Sequence, residues 1–185
     1  RFNSELANDL GNLLNRVLNM LTRYCGGVLP DVAGAEPDGP EEKKLWTAVQ
    51  AAVTGAADAV DAMSLDKVVA QVMEAVRATN RYLEARQPWT QAKDEDKRPL
   101  HVTLYTAAEA LRVEAALLYP VMPEKMGELR AALGLSAADP VYDDLKRWGV
   151  LPAGNRINKP GALFPRIQLE EKAVEEPKPE KKPAK

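Results

Sequence analysis

The sequence predicts an all-α helix bundle, and three observations carry that reading. Apolar residues recur at three- and four-residue intervals through several long windows, the spacing that gathers side chains into one stripe of a helix. Between those windows stand proline and glycine clusters, which break helices and favour turns. The 185 residues are 45% hydrophobic and 28% charged, enough for one core of ordinary size and too few for two comfortable domains.

The first helix is read over residues 3 to 24, NSELANDLGNLLNRVLNMLTRY. Leu6, Leu10, Leu13, Leu14, Val17, Leu18 and Leu21 form its apolar stripe, Asn3 stands as its cap, and Glu5, Asp9 and Arg23 match the helix dipole. The opposite face carries Asn8, Asn12, Asn15, Arg16, Asn19 and Arg23. Asn is up to about 0.7 kcal/mol poorer than Ala in a helix, so a face made for stability alone would be Glu, Lys, Arg or Ala. Amides that donate and accept, set among guanidinium groups that only donate, suit the edge of a planar ligand. Ser4, Ala7 and Gly11 make a strip of small residues where another helix is expected to cross, and Gly26 and Gly27 end the helix.

After a Pro/Gly-rich loop, Pro40 to Met63 forms a second helix, with Leu45, Trp46, Val49, Val53, Ala56, Val60 and Met63 on its apolar side. Ser64 is the expected cap of a third, to about Arg86, whose stripe holds Leu65, Val68, Val69, Val72, Met73, Val76 and Leu83. Asn80 falls in that stripe and is expected to tie down a neighbouring backbone. Pro88 ends the helix, Trp89 follows at once, and Lys93 to Arg98 is a charged connector. Pro99 to Tyr119 is a fourth helix and Pro123 to Leu133 a fifth, closed by Gly134. Asp139 and Pro140 cap a short sixth element, with Val141, Leu145 and Trp148 inward and Gly149 as its stop. Residues 1–150 are thus one helical domain, and 151–169 a loop or short hairpin with turns at Gly154-Asn155 and Pro160-Gly161. Residues 170–185, almost entirely Glu, Lys, Pro and Ala, form a disordered linker or tail.

Several function classes lose support. A net charge of −2 argues against coating nucleic acid non-specifically by counterion release, so any nucleic-acid site must be a local patch. The one cysteine, Cys25, makes no internal disulfide or multi-cysteine zinc site, and the one histidine, His101, completes no triad by itself. No Gly-rich phosphate loop occurs. The acid pairs Glu41-Glu42 and Asp143-Asp144 sit in helix first turns, where the dipole explains them. No apolar run approaches the roughly 20 residues of a membrane span and no signal peptide opens the chain, so a cytosolic setting is expected.

Binding is better supported. Trp46 and Trp148 lie in apolar registers and read as core, whereas Trp89 lies outside any stripe. It either plugs the bundle end or offers a stacking platform, worth about 1 to 3 kcal/mol to an unstacked base. Asn12 and Arg16, one helical turn apart, suit the Watson–Crick edge of such a base, or are simply two solvated polar residues.

Four stretches together, RFNSELANDLGNLLNRVLNM, NRYLEARQPW at Asn80 to Trp89, YPVMPEKM at Tyr119 to Met126, and ALFPRI at Ala162 to Ile167, resemble the C-terminal half of the bacterial methionyl-tRNA synthetase family. The resemblance implies the all-helical anticodon-binding domain of class I synthetases, which binds the CAU anticodon of initiator and elongator methionine tRNAs. By resemblance the Asn and Arg of the first-helix motif and the Trp of the Pro-Trp motif contact the anticodon. Matched residue by residue these are Asn12, Arg16 and Trp89, with Trp89 stacking on the first base, a cytosine, and Pro88 holding its loop. The LFPRI segment is similar to the family's return segment, which packs toward the catalytic domain. The family's HIGH-type, KMSKS-type and zinc-knuckle motifs have no counterpart here, which implies a fragment that leaves ATP use to a catalytic domain upstream. The tail is similar to the linker that leads, in many members, to a C-terminal tRNA-binding and dimerising domain. Two rival readings are the domain of another class I synthetase and a helical protein-interaction scaffold. A predominantly apolar surface around Trp89, with no basic residue in reach, would favour the scaffold.

Overall fold

The computed structural model describes residues 2–32 and 39–165, and among them the architecture is all-α. A π-helical segment, Phe2–Gly11, runs directly into α1, Asn12–Cys25. Then come α2 (Pro40–Asp61), α3 (Leu65–Arg86), the single turn α4 (Pro88–Gln91), α5 (Arg98–Leu118) and α6 (Pro123–Ala132), with a 3-10 turn at Tyr142–Lys146. Residues 62–64 turn the chain so that α2 and α3 run antiparallel: Glu42 meets Tyr82 and Arg86 at one end, Gly55 meets Gln71 nearer the other.

The centre of the bundle is α5. Every residue of it from Thr103 to Leu118 is buried, including five that are polar or charged. A buried polar group without a partner is costly, so each of these fixes a neighbour. Thr103 accepts from Arg86 Nε of α3 at 3.3 Å. Glu109 takes a bidentate pair of bonds from Arg112, at 2.9 and 2.8 Å, and also the backbone N–H groups of Val150 and Leu151, at 3.1 and 3.0 Å. Arg112 donates onward to the carbonyls of Asp144 and Arg147, while Tyr105 donates to the Leu151 carbonyl at 2.6 Å. The segment after α6 is therefore latched to α5 by charge-assisted hydrogen bonds inside the protein.

Several expectations are corrected. The first ten described residues form a π-helix, so Asn3 lies inside the helix and not at its cap. Helix α3 does pack on the segment that carries the small-residue strip, through the Asn80 bond to the Asp9 carbonyl, while at Gly11 the neighbour is the Phe164 side chain, 3.7 Å from where a Cβ would stand; Ala7 is buried. Ser64 makes no side-chain cap, its hydroxyl turning back to the Ala62 carbonyl. α3 ends at Arg86 as read, but Pro88 then opens a further helical turn, α4. Asp139 caps nothing: it accepts from the Tyr119 hydroxyl at 3.0 Å, and Val141 is 59% exposed. Val60, Met63 and Leu65, placed in apolar registers, are exposed, Val60 and Leu65 on the wall of an open groove that Leu117 and Tyr142 also line. Residues 151–165 are the loop of the two alternatives, with a turn bond from the Asn155 N–H to the Pro152 carbonyl at 3.4 Å. Val28 bridges Arg156, and Leu29 and Ile157 bond to Asn155 and Gly27, so the partner is the strand-like stretch after α1. Leu163 and Phe164 are buried; Arg166 to Leu169 and the 170–185 tail lie outside the described residues. Other elements stand as read. Gly26 closes α1 at φ 64°, Trp46 and Trp148 meet edge to face at 5.1 Å, and Asn80 does bond a neighbouring backbone.

One buried acid makes the bundle sensitive to pH. Thr79 of α3 donates to Glu114 Oε1 at 2.6 Å, but Oε2 is buried with no partner, and burial raises this carboxyl to about 8 against the bond from Thr79, which lowers it. Its unfolded value is near 4.3. Between those values the folded state holds a proton that the unfolded chain releases, so this stability is full below the unfolded value and is lost as pH rises through about 8. Glu114→Gln removes the titration. Thermal melts from pH 5 to 9 are expected to show a Tm that falls with pH in the parent and is flatter in the variant, the variant gaining several degrees at pH 9 at about 2–4 °C per kcal/mol. Parallel profiles would contradict this.

Candidate nucleic-acid interface

The turn that carries Trp89 has little freedom of its own. Gln87 is at once the last cap of α3 and the first of α4, at φ 47° and ψ 61°, so two helices are joined by one left-handed residue. For a residue with a side chain that region is sparsely populated and costs roughly 1 kcal/mol or more. Gln87 N–H bonds the Leu83 carbonyl at 3.0 Å; the N–H groups of Thr90 and Gln91 return to the Gln87 carbonyl, and that of Ala92 to Pro88. Pro88 is buried and needs no donor at the first turn of a helix. Trp89 is 39% exposed. Part of the indole is therefore open to solvent, as a stacking platform requires.

Behind the turn lies a buried network. Glu42, 2% exposed, accepts from the Tyr82 hydroxyl at 2.7 Å, and its Oε1 lies 3.0 Å from Arg86 Nε. Arg86 Nε also reaches Thr103. Burial, then the Glu42 charge, pushes the Tyr82 phenol far above its ordinary value. Three helices thus meet behind the last turn of α3. This corrects the reading of Glu42 as a first-turn dipole residue: it is an interior anchor, and its partners lie 40 residues and more along the chain.

Helix α1 packs beside α3. Asn12 opens that helix and is exposed; Arg16, one turn on, donates to Glu84 Oε1 at 2.8 Å, the two side chains 36% and 63% exposed. Glu84 stands five residues before Trp89, on the final turn of α3. An ion pair this exposed is worth about 0–1 kcal/mol and exchanges readily. Asn80 sets the placement from below, its Nδ2 bonding the Asp9 carbonyl in the last turn of the π segment and the Val76 carbonyl, both at 3.2 Å. Arg77 adds a contact to Asp9 at 3.8 Å. The start of α1 is therefore pinned to the same helix whose end carries Trp89. On the rest of the asparagine face, Asn8, Asn19 and Arg23 are exposed and Asn15 is half-buried, with Arg23 over the Tyr24 ring at 5.4 Å.

Spacing did not single out Glu84 or Arg86. Both occur within the NRYLEARQPW stretch, but only the fold shows one facing Arg16 and the other facing Glu42. The largest exposed apolar side chains, Met63 and Leu65 at 89% and 64%, cluster at the other end of α3, roughly 30 Å away. Two basic side chains are tied to the end of α3 that leads into Trp89: Arg86 stands three residues before it, and Arg16 pairs with Glu84, five before it. Among the described residues no three His, Cys, Asp or Glu are placed to hold a metal ion, and no helix is long and apolar enough to cross a membrane.

Comparison with known proteins places the chain. The family model described as the anticodon binding domain of methionyl tRNA ligase matches residues 32–178. A methionine–tRNA ligase of Deinococcus radiodurans is 41% identical over the whole chain, and one of Streptomyces coelicolor is 40% identical over 91% of it. The matches take in 26% and 32% of those proteins, so the chain spans about a quarter to a third of their length. The crystal structure of free methionyl-tRNA synthetase from Mycobacterium tuberculosis superimposes with a TM-score of 0.81 at 28% identity, over 91% of this chain and 34% of that one. The same enzyme bound by methionyl-adenylate gives 0.80. Trp89 and its turn fall inside the family-model match, while Asn12 and Arg16 fall in the part that the Deinococcus protein also covers. Helical architecture, sequence and structural neighbours agree, and the chain belongs to the family of anticodon-binding domains of methionyl tRNA ligases.

Proposed function

We propose that this chain is the part of a methionine–tRNA ligase that reads the CAU anticodon of initiator and elongator methionine tRNAs. The observation that carries the reading is the partly exposed indole of Trp89 on a hydrogen-bonded turn, five residues after the Glu84 that pairs with Arg16. The first anticodon base, a cytosine, stacks on Trp89. Its Watson–Crick edge offers acceptors to the Arg16 guanidinium and both donors and acceptors to the Asn12 amide. Arg16 first leaves Glu84, an exchange that the exposure of the pair makes cheap. Because turn and helix are already ordered, little conformational entropy is lost on binding.

The chemistry of aminoacylation and the use of ATP belong to the remainder of the polypeptide, as do the catalytic motifs. Within this chain residues 1–150 form the anticodon-binding domain, 151–169 the segment that returns toward the catalytic domain, and 170–185 a linker toward a further tRNA-binding and dimerising domain. Such a ligase works in the cytoplasm, where its tRNAs are.

Two substitutions test the assignment in the intact polypeptide, by titration with an anticodon stem-loop. Trp89→Ala is expected to weaken binding by about 1 to 3 kcal/mol with an unchanged melting temperature. Loss of the fold would instead make Trp89 a core residue. Arg16→Ala is expected to relax discrimination at the first anticodon base by about 1 to 3 kcal/mol, and an equal loss for every loop sequence would mark Arg16 as a phosphate contact.

A further inference from the structure

Arg86 has no part in the base-reading scheme, yet it stands three residues before Trp89 at the end of α3. Its bonds are one-sided. Nε donates to Thr103 Oγ1 at 3.3 Å and lies 3.0 Å from Glu42 Oε1 in an ion pair, both from inside the bundle. Among the described residues Nη1 and Nη2 bond to nothing, and neither is among the buried side-chain atoms that lack a partner, so both reach solvent. The side chain as a whole is 28% exposed. This is a guanidinium gripped along one edge and open along the other, the planar fork that matches a phosphate.

We infer that Arg86 is a binding residue for one backbone phosphate of the nucleic acid whose base stacks on Trp89, with Glu42 as the residue that positions it. This rests on the anticodon reading of the same surface. Three residues span at most about 11 Å of chain, so an indole and a guanidinium so placed fall within the reach of neighbouring nucleotides. Glu42 is 2% exposed and already satisfied by Tyr82 and Arg86, so it presents no open charge to repel the phosphate. Because the rotamer of Arg86 is set before binding, less ordering is needed than for a free lysine at the rim. Phosphate contacts of this kind position RNA and carry no base information.

The test uses the intact polypeptide, a CAU anticodon stem-loop, and the same loop with single phosphates replaced in turn by uncharged methylphosphonates. Arg86→Gln is expected to weaken binding roughly tenfold or more, equally for CAU and UAU loops, and to reduce the slope of log K against log salt by about 1. One methylphosphonate position near the first anticodon base should cost the parent protein a similar factor and cost Arg86→Gln nothing further. Arg86→Lys should keep the salt slope and lose part of the affinity. Glu42→Gln should also keep the slope while weakening binding, since it frees the guanidinium without removing its charge. If no single methylphosphonate in the loop harms the parent, or if folded Arg86→Lys and Arg86→Gln both bind as the parent does, the assignment is wrong. Failure of the anticodon reading has a separate signature, a parent protein that binds CAU and UAU loops equally.

Discussion

The structure depends on the burial of polar side chains along α5. From Thr103 to Leu118 that helix has no solvent face, so its threonines, glutamates and arginine must find partners in whatever packs around it. The partners they find are spread over the molecule: Arg86 at the end of α3, Thr79 in its middle, and the backbone at residues 144, 147, 150 and 151. An apolar central helix would hold the same neighbours by area alone and leave them freer to slide. Hydrogen-bond partners within the interior fix register as well as contact. The centre of the bundle therefore determines where its ends stand.

At one of those ends this has a functional consequence. Thr103 and Glu42 both hold Arg86 at its Nε, Arg86 is the last residue of α3, and a single left-handed residue separates it from the buried proline of the Trp89 turn. Nothing in that sequence of contacts is a flexible loop. Opposite it, Asn80 and Arg77 hold the beginning of α1 on the same helix, so that Asn12 and Arg16 share a frame with Trp89. Interior anchoring of surface side chains is how a binding site is kept preorganised. Arg16 is held by a half-exposed ion pair with Glu84, which is the part of the arrangement best suited to give way.

Much of this was legible in the residues. Helix periodicity placed the elements within a few positions, and the Asn-rich face of the first helix marked the side where Asn12 and Arg16 stand exposed or half-exposed. Trp89 was marked by its lack of a stripe, and Asn80 by having one. The misses share a cause. Glu42 was credited to a helix dipole because a first turn explains an acid locally, whereas its partners Tyr82 and Arg86 become neighbours only when α2 folds back on α3. The same holds for Glu109, whose ligands are backbone amides 41 and 42 residues away. Val60, Met63 and Leu65 were placed inward by a periodicity that gives a face but cannot say that the face is covered. The π-helix before Asn12 leaves no sequence mark beyond Gly11, since the same residues would also suit an α-helix.

The account turns on Trp89, Asn12 and Arg16 acting together on one base, and that is tested most directly by a single comparison of affinities. The intact polypeptide is titrated with two anticodon stem-loops that differ only in the first anticodon base, CAU and UAU, at one fixed salt concentration. The account predicts that the CAU loop binds more tightly by about 1 to 3 kcal/mol, the discrimination a side chain reading one base edge supplies. Equal binding of the two loops would contradict it.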